Sequence, residues 1–124
     1  MSNIDSASRR GLPYPMFNTD RVIITPVSSA APQLVETNTT GSGTVKVRFE
    51  VCNYTMSDTW FSFYIVPAGQ TLGPSWARFF QTDLAAQETF GKPTWYTLHP
   101  GDSVYAEAGT ANSVSLWADL EIEC

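Results

Sequence analysis

Residues 44–53 read TVKVRFEVCN, and this stretch decides the fold class. Apolar side chains occupy every second position, at Val45, Val47, Phe49 and Val51. The positions between them carry Lys46, Arg48, Glu50 and Cys52. Because successive side chains of a β-strand point to opposite faces, this period of two predicts a strand with one buried and one wet face.

Short runs of strand-forming residues, separated by turn residues, continue the pattern in both directions along the chain. No run of ten or more residues has helical spacing, which excludes a parallel α/β architecture. We expect strands at 21–27, 33–39, 44–53, 59–66, 78–84, 88–90, 103–108 and 113–123. About eight strands at this spacing predict an all-β fold, a single antiparallel β-sandwich that is either immunoglobulin-like or a jelly roll.

Turn residues mark the connections between these strands. Gly41-Ser42-Gly43 lies between the strands at 33–39 and 44–53, and a turn of this length predicts that the two strands pair as a hairpin. Pro67-Ala68-Gly69 and His99-Pro100-Gly101-Asp102 predict further turns, since Pro fixes φ and Gly tolerates a positive φ.

Residues 1–19, MSNIDSASRRGLPYPMFNT, show neither helical nor strand periodicity. Glycine and proline interrupt either element, so we expect an extended N-terminal arm, followed by the sandwich domain at 20–124. The arm combines arginines with large apolar side chains, namely Arg9, Arg10, Leu12, Tyr14, Met16 and Phe17. Such a segment suits docking, either on its own domain or on a neighbouring subunit.

Composition limits the classes of function. The 124 residues suffice for one domain, and charged residues make up only 15% of them, against roughly 25% in soluble domains. The net charge of −5 argues against nucleic-acid binding, which needs clustered Lys and Arg. There is no apolar run long enough for a membrane helix and no signal-peptide core. We therefore expect synthesis in the cytoplasm, no membrane partner, and reduced thiols at Cys52 and Cys124.

Two triplets match the glycosylation sequon, Asn38-Thr39-Thr40 and Asn53-Tyr54-Thr55. Glycosylation requires secretion, which the N-terminus does not predict. We interpret both triplets as chance products of threonine-rich strands.

The residue types that carry catalysis are sparse. His99 is the one histidine, and it precedes a Pro-Gly pair, so we interpret it as a turn residue rather than a general base. Asp83, Glu88 and Asp102 lie in or beside turns without the spacing of a calcium loop. Two distant cysteines and one histidine do not form a zinc site. We expect no enzymatic activity, no metal and no cofactor.

Several segments, taken in order, resemble a family of small bacteriophage virion proteins. GDSVYAEA at 101–108 is similar to the family's "GD-strand-A-x-A" segment, and VSL at 114–116 with EI at 121–122 to the strand that completes a C-terminal hairpin. Upstream, VCN at 51–53 closes a strand, FYIVPAG at 63–69 resembles "Y-x-V-P-x-G", and LAAQET at 84–89 resembles "L-x-A-G-E-T". Gln87 stands where that last segment usually has Gly. The resemblance covers residues 33–123.

This resemblance implies a non-enzymatic β-sandwich carried on the head, neck, tail or fibre of a phage particle. With the low charge and the apolar arm, it leads us to expect a capsid decoration or cement protein. Such a protein would form a symmetric homo-oligomer, for example a trimer, with the major capsid or tail proteins as partners. A tail, neck or fibre component of the virion is the alternative within the same class.

A different hypothesis comes from the tryptophans, Trp60, Trp76, Trp95 and Trp117. An exposed tryptophan on a β-sandwich can stack on a sugar ring, as in a carbohydrate-binding or receptor-binding module. Trp117 is the best candidate, because it lies on the polar side of the strand at 113–123. Aromatic side chains are also enriched at protein interfaces, and we prefer that interpretation. We expect assembly contacts first along the arm from Arg9 to Phe17 and second on the face that bears Trp117.

Overall fold

A computed structural model describes residues 17–24, 32–91 and 94–123, the first of these ranges and Glu123 by their backbone alone. Nine strands lie within these ranges: β1 Phe17–Ile24, β2 Gln33–Thr37, β3 Thr44–Asn53, β4 Thr59–Val66, β5 Ala77–Leu84, β6 Thr89–Gly91, β7 Tyr96–Leu98, β8 Ser103–Ala108 and β9 Val114–Glu123. A single 3₁₀ turn, Pro74–Trp76, precedes β5 in this part of the chain. The predicted all-β class is confirmed.

The strands form two antiparallel sheets that pack face to face. Sheet A has the order β1-β9-β3-β6, and β7 also pairs with β3, next to a different part of that strand than β6. Sheet B has the order β2-β8-β4-β5. The pairs are nested along the chain: β4 with β5, β3 with β6 and β7, β2 with β8, and β1 with β9. One long hairpin rolled into two sheets has this pairing, which is the jelly-roll arrangement of the sandwich. An immunoglobulin-like topology is thereby excluded.

The core lies between the sheets and follows the predicted alternation. On β3 the apolar positions from Val45 to Val51 are buried, and the charged positions between them lie on the outer face. On β9, Val114, Leu116, Ala118 and Leu120 are buried in the same way. Phe49 of sheet A stacks on Phe63 of sheet B with ring centroids 3.9 Å apart, which joins the two layers.

The predicted hairpin between β2 and β3 is wrong, because these strands lie in opposite sheets. The side-chain amide of Asn38, at the end of β2, donates to the Gly43 and Leu98 carbonyls, and the chain arches from one sheet to the other. The C-terminal hairpin that the resemblance implied is wrong for the same reason, since β8 and β9 are also in opposite sheets. Alternation assigns a strand's buried face but not its partner.

The first described strand begins earlier than the sequence predicted. Phe17 pairs with Glu123, and the pairing with β9 continues to Ile24 opposite Leu116. Residues 17–19, which we expected in the arm, therefore belong to a strand of sheet A. Residues 1–16, the arm proper, and 25–27, the predicted end of this strand, lie outside the described ranges. The short β7 was not predicted, because three residues are too few to show a period.

Candidate functional site

The predicted site residues fall into two groups. Arg9, Arg10, Leu12, Tyr14 and Met16 lie outside the described residues. Phe17 is the first residue of β1, where the backbone alone is described, and Trp117 lies on the neighbouring β9 opposite Ile23. The structure therefore places the start of β1 and Trp117 on adjacent strands of sheet A. Trp117 is 40% exposed, as expected for an outward-facing position.

The outer face of sheet A mixes aromatic with charged side chains. Arg48 lies opposite Asp119 in the register and its guanidinium contacts that carboxylate at 3.2 Å. The same guanidinium lies 4.5 Å from the centre of the Trp95 ring. Two residues further along the same pair of strands, Trp117 lies opposite Glu50. This face can stack on a planar or sugar-like surface and offer hydrogen bonds beside it, but the exposed ion pair adds little stability.

The outer face of sheet B differs, because its β4 positions are buried while Phe80 on β5 is exposed. Phe61, Phe63 and Ile65 face the core, yet Ser62, Tyr64 and Val66 on the other side of β4 are buried as well. The Pro74–Trp76 turn contacts β4, and Leu72 and Gly73 before it line a groove beside Tyr64. A strand buried on both sides lacks polar alternation, and TWFSFYIV at 59–66 shows this in the sequence.

Polar groups cluster on this side of β4. The Tyr64 hydroxyl donates a hydrogen bond to Oε1 of Glu107 on the adjacent β8. The Ser62 hydroxyl oxygen accepts the backbone N–H of Gln81 from β5 at 2.8 Å. The pKa of Tyr64 is raised to about 12, chiefly by burial and then by the hydrogen bond to Glu107. The tyrosine is therefore a neutral donor at physiological pH.

A groove of about 450 Å³ opens over this polar cluster. We call it the sheet-B groove, and its lining residues are Pro32, Tyr64, Leu72, Gly73, Pro74, Phe80, Gln81 and Glu107. Its volume lies in the range of roughly 300–1,000 Å³ that is typical of ligand sites. The walls mix apolar and aromatic side chains with polar groups, and among the described lining residues the one carboxyl group belongs to Glu107.

A β-bulge shapes one wall of the groove. The register between β4 and β5 shifts after Phe61, which pairs with Thr82, so that Phe63 pairs with Phe79. Gln81 within this bulge has a φ of 46°, the left-handed region that costs a residue with a Cβ atom. The bulge leaves Phe80 at the groove with 48% of its surface exposed. Bulges commonly re-aim a side chain in this way, and strained residues concentrate at functional sites.

Glu107 determines what the groove can bind. It is only 4% exposed, and among the described residues its side chain has one hydrogen-bond partner, Tyr64. A carboxylate has two oxygens and accepts several hydrogen bonds, so Oε2 is available to a ligand. In the described part of the chain no three His, Cys, Asp or Glu side chains converge as a metal site requires. The groove therefore suits an organic ligand that brings an N–H donor and apolar groups.

The two sequon asparagines have a structural role that sequence reasoning missed. The Asn53 amide donates to the Ser57, Leu84 and Ala85 carbonyls, and its oxygen accepts the N–H and hydroxyl of Thr55. Asn38 makes the same pattern, with Thr40 in the place of Thr55. Both asparagines are buried. The Asn-x-Thr spacing thus indicated two loop anchors.

Asp102, another of the sequence candidates, has a structural role as well. His99 lies in the predicted turn with 72% of its side chain exposed, and its backbone N–H donates to Asp102. The same carboxylate accepts the N–H of Ala68, so Asp102 ties two turns together. Cys52 carries a free thiol, and Cys124 lies outside the described residues. Within the described ranges no helix is long and apolar enough to cross a membrane.

Sequence reasoning also missed the sheet-B groove. Tyr64 and Glu107 are 43 positions apart, and nothing local marks them as neighbours. The absence of polar alternation in β4 was the available signal. Comparison of the chain with models of protein families, with curated proteins and with solved structures found no match.

Proposed function

We propose that this chain is a non-enzymatic structural protein of a bacteriophage particle, a capsid decoration or cement protein that assembles in many copies. The resemblance over residues 33–123 is the reason for choosing a phage. The jelly-roll pairing is compatible with it, since this architecture is common in viral capsid proteins and also in lectins. A fold alone does not assign a function, so the surface must carry the argument.

The observation that carries the proposal is the exposure of large aromatic side chains on both outer faces of the sandwich. Trp117 is exposed on sheet A and Phe80 on sheet B. Aromatic residues are enriched at protein interfaces. Only 15% of the residues are charged, so few charged side chains are available to hydrate these faces. A protein with neighbours on two sides can cross-link a repeated surface, as a cement protein does.

The test is to identify the protein on purified particles. Quantitative mass spectrometry should find it in many copies for each particle, and gold-labelled antibodies should decorate the head. Added to particles that lack the gene, the purified protein should bind to saturation with a fixed ratio to the major capsid protein. Label on the tail, neck or fibre would favour the alternative position. A protein that is absent from particles and monomeric in solution would contradict the proposal.

A carbohydrate-binding or receptor-binding module is the second candidate. It is favoured by one arrangement, the Trp117, Trp95 and Arg48 side chains on the outer face of sheet A. Glycan-array binding that is lost in Trp117→Ala and retained in Phe80→Ala would promote this function over the structural one. Both variants remove one exposed aromatic ring, so each controls for the other.

A further inference from the structure

We propose that the sheet-B groove binds residues 9–16 of a second copy of this chain, with an arginine of that segment on Glu107. Its apolar side chains then contact Leu72 and Phe80. The inference rests on the proposed assembly function and names the contact between subunits that such assembly would use.

The groove needs a cationic donor. Glu107 is 4% exposed, and Tyr64 satisfies only one of its oxygens among the described residues. Burying a carboxylate is costly unless it is paired and hydrogen-bonded. A guanidinium supplies parallel N–H donors in a geometry that matches a carboxylate. An arginine side chain that enters the groove would therefore donate to Oε2 of Glu107, which has no donor among the described residues.

The segment at 9–16 reads RRGLPYPM and offers what the groove lacks. Prolines at 13 and 15 favour the extended polyproline conformation, and aromatic-lined grooves commonly bind such segments. Leu12, Tyr14 and Met16 supply apolar groups for Leu72 and Phe80 at the walls. The charges also agree, because residues 1–16 carry a net +1 while the rest of the chain carries −6.

The distance to the groove favours a second copy over the same chain. The Phe90 ring of β6 lies 5.3 Å from that of Phe79 on β5, so the β6 edge of sheet A covers the β5 edge of sheet B. The β1 edge, where Phe17 begins, therefore lies over β2. A path from there to Phe80 crosses about 10 Å between sheets and three strand spacings of about 4.8 Å, or roughly 24 Å.

The apolar residues of the same chain, from Leu12 to Met16, fall short of this path. An extended chain spans about 3.3 Å for each residue, so Tyr14 reaches about 10 Å from Phe17, Leu12 about 17 Å and Arg9 about 26 Å. Within one chain only the arginines therefore reach the Phe80 end of the groove, and the apolar residues stop short of it. A neighbouring subunit can instead present the whole segment to the groove. Because segment and groove are different surfaces, the contact is head-to-tail and closes into a ring when the rotation allows. A trimer is one such ring.

Self-association of the full chain is the first measurement. Light scattering and sedimentation should show an oligomer, and Glu107→Gln, which keeps an acceptor for Tyr64, should raise its dissociation constant about tenfold. Phe80→Ala and the double change Arg9→Ala with Arg10→Ala should weaken it similarly. Met56→Ala removes a side chain that is 79% exposed elsewhere and should change nothing. Unchanged association in the folded groove variants would overturn the proposal.

Mixing distinguishes a second copy from the same chain. The Arg9→Ala, Arg10→Ala variant retains an intact groove, and Glu107→Gln retains an intact segment. Together they should form a one-to-one complex that neither forms alone. Synthetic peptide 1–16 should compete with this complex, whereas the same peptide with alanine at both arginines should not. Absence of a mixed complex would overturn the role of the second copy.

Particle binding separates this inference from the proposed function. If the wild-type protein saturates particles while the groove variants associate normally, the groove contact is wrong and the virion role stands. If the groove variants lose association but the wild-type protein never binds particles, the contact stands and the virion role is wrong.

Discussion

At the scale of single residues, Gln87 is held in a conformation that suits glycine. It lies in the turn between β5 and β6 with a φ of 61°, where a Cβ atom costs about 1–2 kcal/mol. The resembled phage segment usually has Gly at this position. Gln87→Gly should therefore raise the free energy of unfolding by about 0.5–1 kcal/mol, after the larger entropy of glycine in the unfolded chain is subtracted. Chemical denaturation measures this directly.

The control for this prediction is Gln87→Ala. Alanine removes the same side chain, including its contact with Met56, but keeps the Cβ atom and thus the strain. The glycine variant should exceed the alanine variant in stability. Equal stabilities would show that the turn relaxes around a Cβ atom and that φ at this position has no energetic weight.

Tyr64 predicts how stability depends on alkaline pH. Its pKa is raised from 10.0 to about 12 in the folded chain, chiefly by burial and then by its hydrogen bond to Glu107. A raised pKa gives stability that is complete below pH 10 and is lost as the pH rises toward about 12. Over that window the free energy of unfolding should fall by about 3 kcal/mol through this residue.

Tyr64→Phe tests the assignment. The variant lacks the titrating hydroxyl, so its stability should decline less steeply across the same pH window, although it starts lower because Glu107 loses a donor. Tyr54→Phe is the matched control, since Tyr54 is half exposed. If both variants keep the wild-type slope, another group causes the alkaline loss.

At the scale of elements, the loop after β3 depends on one amide. Asn53 is fully buried and donates to three carbonyls, of which that of Leu84 is buried as well. Asn53→Asp keeps the shape but turns a donor into a charged acceptor that faces those carbonyls. The free energy of unfolding should fall by at least about 3 kcal/mol. Urea denaturation at neutral pH measures the loss.

Variants of Thr55 show how much its hydrogen bond to Asn53 adds to the stability of this loop. Thr55→Ser keeps the hydroxyl that donates to Asn53 and should stay within about 0.5 kcal/mol of the wild type. Thr55→Val removes the hydroxyl and should cost about 1 kcal/mol. A small effect for Asn53→Asp beside a large one for Thr55→Val would place the anchor at the threonine instead.

The sequence predicts those features that depend on neighbouring residues better than those that depend on contacts between distant strands. The bounds of β3, β4 and β8 follow from local alternation and from the turns that flank them, and the structure confirms them. Pairing is different, because the two arches at β2–β3 and β8–β9 are fixed by contacts between distant strands. The sheet-B groove is even harder to predict from the sequence. The groove forms only because Tyr64 and Glu107 become neighbours in the fold. Both lie on the face of sheet B that the alternation of apolar and polar residues would assign to solvent.

At the scale of the whole molecule, stability depends on an aromatic cluster that joins the two sheets. Phe49 of sheet A lies against phenylalanines of both sheets, with ring centroids 3.9 to 6.4 Å away: Phe61, Phe63, Phe79 and Phe90. It is almost fully buried. Phe49→Ala should open a cavity between the layers and lower the free energy of unfolding by about 3–5 kcal/mol.

Phe80→Ala is the matched change on the outside of the sandwich. Because Phe80 is 48% exposed, its removal should alter stability by about 0.5 kcal/mol or less. Denaturant titration of both variants gives the comparison, and similar m-values would show that the two unfold from the same compact state. If Phe80→Ala is as damaging as Phe49→Ala, the ring supports the bulge in β5 rather than offering a surface. A small cost is the result expected if Phe80 belongs to the proposed contact with a second copy, because its ring then adds little to the stability of its own fold.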